Sequence, residues 1–141
     1  MRQEGPIPID SSIMFLKKIC KLGYAAALAS SQSKEKIRLN LEKLGVLDMF
    51  NFVVAGEDCV FNQKPAPDIF IYAAGLADVP TFNCLVIEDL AQGIQAAKAA
   101  GMKCAALQRE NNSYQNLSGA DYVVNNLLSL DLNEISKKWF S

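Results

Sequence analysis

Three short polar clusters in this chain could do chemistry. Ser30-Ser31-Gln32-Ser33 follows the apolar run 24–29, Gln63-Lys64-Pro65-Ala66-Pro67-Asp68 stands ahead of a helical pattern, and Glu88-Asp89 closes the apolar run 83–87. Hydroxyls and backbone amides at a helix entrance suit a phosphate, because the amides there lack intrahelical partners and the helix dipole favours an anion. A lysine whose backbone is restricted by a following proline can neutralise phosphate charge. Adjacent carboxylates at the end of a buried strand offer the hard oxygen ligands that Mg²⁺ prefers. Each cluster also has a plainer reading. Serines commonly cap helices, a loop lysine is ordinarily solvated, and acids in a first helical turn complement its dipole.

Other chemistries drop out. The chain of 141 residues contains no histidine, which excludes Ser-His-Asp and Cys-His nucleophiles, histidine zinc sites and an imidazole base. Cys20, Cys59, Cys84 and Cys104 never form a CxxC pair and are expected to be reduced thiols packing as small hydrophobes, with metal ligation or a disulfide as the lesser alternatives. The net charge of −1, with Lys and Arg scattered singly, gives no stripe for nucleic acid. No apolar run approaches the ~20 residues of a membrane span, and the opening MRQEGPIPID is polar where a signal peptide would be apolar. A soluble cytoplasmic protein is the expectation.

The elements that must position these clusters follow from periodicity. With 50% apolar residues and this length, one core and one domain are expected. Asp10 or Ser11 can cap a helix with apolar positions Ile13, Leu16, Ile19 and Cys20, ended by Gly23. A buried strand over 24–29 follows, then an amphipathic helix over 33–44 stopped at Gly45, and a strand over 52–55. After a loop, a helix starts at Pro67 and Asp68 and runs to about Leu76. Further strands are read at 83–87, 103–107 and 122–124, with helices over 90–100 and 127–139 and a short helix within 109–119. Strands that are apolar throughout and alternate with helices argue for a parallel sheet covered on both faces. In such sheets ligands bind past the carboxyl ends of the strands, where all three clusters fall.

In order, LASSQS, KPAPDIF and VIEDLAQGIQAAKAAGM resemble motifs II, III and IV of the haloacid dehalogenase superfamily, in its phosphoglucomutase-like and phosphoglycolate-phosphatase-like branch. The resemblance spans about residues 13–124. It implies an α/β Rossmann-like parallel sheet with helices on both faces. It also implies that Ser30 binds the transferring phosphoryl group, with Ser31 and Gln32 supplying amide contacts, and that Lys64 is the motif III cation. Asp89 would coordinate Mg²⁺ and Glu88 would assist it. Leu90 departs from the small hydroxyl residue common after the acidic pair.

The family's nucleophile is the first Asp of a DxDx[T/V] motif on its central strand, and no Asp in this chain begins such a motif. The expectation is therefore a partial core domain over 1–141. Residues 1–10 would be a linker from the cap domain, with the central strand between 24–29 and 83–87 and the cap domain both lacking. A strand of five would leave several unpaired amides at ~1–3 kcal/mol each, against a domain stability of ~5–15 kcal/mol, so the segment is expected to need an upstream segment or a second chain. The function implied is a Mg²⁺-dependent phosphatase or phosphomutase acting on a small phosphorylated metabolite through an aspartyl-phosphate. A non-catalytic phosphate-binding or interaction module is the alternative, and a receiver-like or flavodoxin-like domain the weaker third.

Overall fold

Strand β4 (Lys103–Leu107) shows the layering most directly, because its side chains alternate between two separate cores. Cys104 and Ala106 join one cluster and Ala105 and Leu107 the other, all at 8% exposure or less. Period-two alternation with both faces apolar means that helices cover both sides. The computed structural model describes residues 10–58 and 62–139. Its elements run α1 (Asp10–Lys21), β1 (Ala27–Ala29), α2 (Lys34–Leu44), β2 (Phe52–Val54), α3 (Asp68–Ala77), β3 (Leu85–Glu88), α4 (Ala91–Ala99), β4, β5 (Tyr122–Val124) and α5 (Leu132–Trp139), with five short 3₁₀ turns between them.

All strand pairs are parallel, but the sheet is in two pieces: β1 pairs with β2, and β3, β4 and β5 pair in that order. Among the described residues, β1 and β3 therefore pair on one side only. Ala26 and Ser30 direct backbone groups at β2, through Asn51 N–H to Ala26 O at 2.7 Å and Ser30 N–H to Val54 O at 3.0 Å. Alternation then sends the N–H and C=O of Ala27 and Ala29 to the opposite edge. These two pieces are the α/β sheet read from the sequence, divided where the central strand of the family was expected.

Helices hold the pieces together. On one face α3 and α4 contribute Ile69, Phe70, Ala73, Ala74, Ile94, Ala96 and Ala97 to a core that takes Val54 from one piece and Val86, Cys104 and Ala106 from the other. On the opposite face α1 straddles the division. Phe15 packs with Ala105, Leu107, Leu127 and Leu132, while Ile13 and Leu16 pack against the core formed by Leu28, Ile37, Leu41 and Val46. Asn126, Asp131 and Trp139 fix the last segment: Trp139 Nε1 donates to Tyr122 Oη at 2.7 Å, and Lys103 lies 3.7 Å above its ring.

Ser33 caps α2, accepting from Lys36 N–H at 3.3 Å, and Gly45 ends it at φ 71°. Three expectations need adjustment. The strand over 24–29 is shorter, because Gly23 and Tyr24 spend their amides on Cys20 O and Ile19 O to close α1, and the ladder starts at Ala27. The terminal helix over 127–139 breaks into a 3₁₀ turn (Leu127–Ser129) and α5, because Asp131 Oδ1 accepts from Glu134 N–H and restarts the helix. The stretch 109–119 holds only a 3₁₀ turn at Glu110–Asn112. The expected linker, apart from Asp10 itself, lies outside the described residues, as do the capping side chains of Asp10 and Ser11.

Cys20, Cys84 and Cys104 are free thiols, and Cys59 lies outside the described residues. Burial, reinforced by the charges of Glu88 and Asp121, pushes Cys104 up to about 12, and burial also raises Cys84. Neither is a thiolate at neutral pH. No helix among the described residues is long and apolar enough to cross a membrane.

Because α1 bridges a division that no backbone ladder crosses among the described residues, Phe15→Ala should cost about 3–5 kcal/mol in chemical denaturation, the range for a buried phenylalanine. A loss below about 1 kcal/mol would show that α1 is no strap between the two pieces.

Candidate active site

The three polar clusters meet at one cleft. It has a volume of about 170 Å³ and is lined by Ser30 and Ser31 after β1, Gly56 after β2, Lys64 ahead of α3, and Glu88, Asp89 and Gly93 at the junction of β3 and α4. The cleft thus opens at the carboxyl ends of both sheet pieces. Its volume suits a phosphoryl group with a few waters better than an organic metabolite, whose pockets run to ~300 Å³ or more.

Ser30 is buried at 6% exposure, and its Oγ accepts from Gln32 N–H at 3.2 Å. That bond uses a lone pair and leaves the hydroxyl proton available for donation. Ser31 faces the cleft, and the Gln32 carbonyl accepts from Gly56 N–H at 3.2 Å. Capping falls to Ser33, so the serines divide their work. Gly56 is required here, since a Cβ at that position would fall 2.6 Å from Ser31 O.

Lys64 sits in a turn closed by Ala66 N–H to Gln63 O at 2.9 Å. Its Nζ donates to Glu88 Oε2 at 2.9 Å and lies 4.9 Å from the centre of the Phe70 ring. Glu88 Oε1 accepts from Asp89 N–H at 3.1 Å and Leu90 N–H at 3.4 Å, so the carboxylate also covers the amide end of α4. Burial works to raise the Glu88 carboxyl, but Lys64's charge and hydrogen bond, helped by the Asp89 amide, hold it below the ordinary carboxylate range. Gly93 makes room for this side chain: a Cβ there would lie 1.9 Å from Glu88 Cδ.

Asp89, at 8% exposure, takes a different partner, the guanidinium of Arg109 just past β4. Asn112 is fully buried and staples both ends of that pair. Its Nδ2 donates to Asp89 O at 2.9 Å and Leu107 O at 3.0 Å, and its Oδ1 accepts from Arg109 N–H at 2.6 Å. Gln115 Oε1 accepts from Ala91 N–H at 2.8 Å, closing the loop over the start of α4.

The family model of haloacid dehalogenase-like hydrolases matches residues 1–107. The chain belongs to the haloacid dehalogenase-like hydrolases. Among the relatives of this chain is the Arabidopsis thaliana protein SUPPRESSOR OF QUENCHING 1, 34% identical over 95% of the chain and 13% of that protein. A second is the 5-amino-6-(5-phospho-D-ribitylamino)uracil phosphatase of the same plant, 33% identical over 91% of the chain and 34% of the relative. Among solved structures, the beta-phosphoglucomutase of Clostridium difficile superposes with a TM-score of 0.76 at 30% identity, over 92% of the chain and 55% of that protein. The chain thus spans between about an eighth and just over half of these proteins' lengths.

Among the described residues no group of three or more His, Cys, Asp or Glu gathers to hold a metal. Asp89 nevertheless has the chemistry for Mg²⁺: a buried carboxylate at a strand end that already faces a cation. Mg²⁺ commonly takes only one or two protein carboxylates and fills its shell with water and phosphate oxygens. Arg109, Asn112 and Gln115 were not singled out in the sequence, although the rule of inspecting residues just past each strand, applied to β4, points to Arg109.

Two linked outcomes follow for the chain. Lys64→Met leaves Glu88 buried without its cation and should destabilise the protein by about 3 kcal/mol at pH 7. Because a depressed carboxyl contributes stability above its unfolded value and loses it as pH falls, the gap between wild type and variant should close below about pH 4. A pH-independent difference in urea midpoints would refute the pairing. Gly93→Ala should fold poorly for steric reasons, with a loss of at least about 2 kcal/mol.

Proposed function

We propose that this chain is the phosphate-holding and metal-holding part of a Mg²⁺-dependent phosphatase or phosphomutase that acts on a small phosphorylated metabolite through an aspartyl-phosphate. The observation that carries the reading is the convergence of Ser30, Lys64 and Asp89, from three separate elements, on one cleft at the strand ends. The relatives named phosphatase and phosphoglucomutase support both forms of the reaction.

The nucleophilic Asp would lie outside residues 1–141, on a strand seated between β1 and β3 and supplied by an upstream segment or a second chain. A parallel strand there would take up the outward backbone groups of Ala27 and Ala29 and end at the cleft. Phosphoryl transfer asks a protein for positioning and charge neutralisation more than for covalent work. Ser30 O–H and Ser31 would orient the phosphoryl oxygens, while Lys64 would neutralise charge and keep Glu88 in place. Asp89, and Glu88 less directly, would hold Mg²⁺, which when bound supplies neutralisation of the phosphoryl oxygens. The partner is a small molecule, with neither nucleic acid nor membrane, and free thiols suit the reducing cytoplasm.

A non-catalytic phosphate-binding module is the second reading. It draws on the fact that Glu88 and Asp89 are each neutralised by a cation of the same chain.

The polypeptide carrying its upstream sequence should release phosphate from an aryl phosphate, and Asp89→Asn or Lys64→Ala should lower kcat on the order of 100-fold or more. Ser30→Ala should cost less, about 10-fold. Activity unchanged in Asp89→Asn would end the phosphatase reading, whereas turnover by residues 1–141 alone would end the non-catalytic one.

A further inference from the structure

We propose that Arg109 is a tethered cation that holds Asp89 in place of a divalent ion, so that metal enters only as the guanidinium leaves. The inference rests on the reading of Asp89 as a metal ligand and adds to it a device that regulates loading.

The ion pair is a product of the fold and no surface encounter. Both side chains are largely buried, at 14% exposure for Arg109 and 11% for Asp89. One buried amide, Asn112, bonds the backbone of each residue and thereby fixes the distance between them. Substitution at position 109 leaves this staple intact, since Asn112 Oδ1 accepts from the backbone N–H of Arg109.

The guanidinium is also poorly satisfied where it sits. Its Nη2 reaches Asp89 Oδ2, but its Nε is buried without a hydrogen-bond partner among the described residues. An arginine kept for structure alone normally engages its fork of donors. A buried donor left unmet marks an arrangement that is easily given up when another cation arrives.

Of the two acids at the end of β3, only Asp89 is placed for such an exchange. Glu88 has one oxygen on Lys64 and the other on two amides. Mg²⁺ binds oxygen at ~2.0–2.1 Å in a near-octahedral shell, and a guanidinium on the same carboxylate would obstruct that shell and repel the ion. The apparent affinity is therefore the intrinsic affinity reduced by the fraction of molecules in which Arg109 has swung away.

The test is calorimetric titration of Mg²⁺ and Mn²⁺ into the full polypeptide. Arg109→Gln should tighten binding by about 10-fold or more, Arg109→Lys should fall between it and wild type, and Asp89→Asn should abolish binding in either background. By reciprocity, adding Mg²⁺ to the wild type should shift the Arg109 Nε–H resonance, a readout that needs no variant. Binding in Arg109→Gln that is equal to or weaker than wild type, or absent from both, overturns the competition. If Asp89→Asn keeps full affinity, the reading of Asp89 as ligand falls along with it. If Asp89→Asn alone loses the metal and Arg109→Gln gains nothing, only the role of Arg109 falls.

Discussion

The division of the parallel sheet between β1 and β3 governs the rest of this structure. Backbone hydrogen bonds hold each piece internally, but what joins the pieces is apolar: Phe15, Ile13 and Leu16 of α1 on one face, and the α3–α4 core on the other. Hydrophobic burial is strong and non-directional, so it can bring two pieces together without fixing their relative register as a ladder would. The cleft lies on this division and draws its residues from both sides. The pair between Lys64, ahead of α3, and Glu88, at the end of β3, is a directional contact that ties its walls together.

Much of this was legible in the sequence because each element carries its own signal. Ser33 and Gly45 bracket α2 as an N-cap and a left-handed C-cap should, and the apolar run 103–107 is β4 to the residue. The parallel arrangement followed from strands without polar alternation. Sequence could not give the break at Leu130, where Asp131 restarts a helix inside a pattern that continues through it, because a cap and an interior acid look alike until the backbone is placed. Nor could it give Arg109 as the partner of Asp89, since the two are 20 residues apart and meet only because β4 lies beside β3.

The site was legible to the level of which residues gather, and less so to the level of what each one touches. Ser30, Ser31 and Ser33 are indistinguishable as letters, yet one caps α2 and two face the cleft. In the sequence Gly93 is one letter of VIEDLAQGIQAAKAAGM and Gly56 one letter of a loop, and neither shows what it does. They are needed for space rather than conformation: one admits the Glu88 carboxylate against α4, and the other lets the end of β2 approach Ser31.

Adjacent acids at a strand end look like a chelating pair, and in this structure each has its own counter-ion. Strand β3 ends at Glu88 and Asp89 lies in the bend that follows, and the two side chains take different partners. Glu88 turns toward Lys64, Gly93 and the amides of α4, and Asp89 turns toward Arg109 and the end of β4. Two carboxylates on one face would repel each other and share whatever cation arrived. Divergence lets each be neutralised separately, and the two counter-ions differ in kind. Lys64 is a compact ammonium seated over the Phe70 ring, and its partner carboxylate is fully engaged. Arg109 is a fork with a buried donor unmet. The first pair therefore behaves as a strut of the cleft wall. In the second, the stapled backbone stays put while the charge facing Asp89 is free to change.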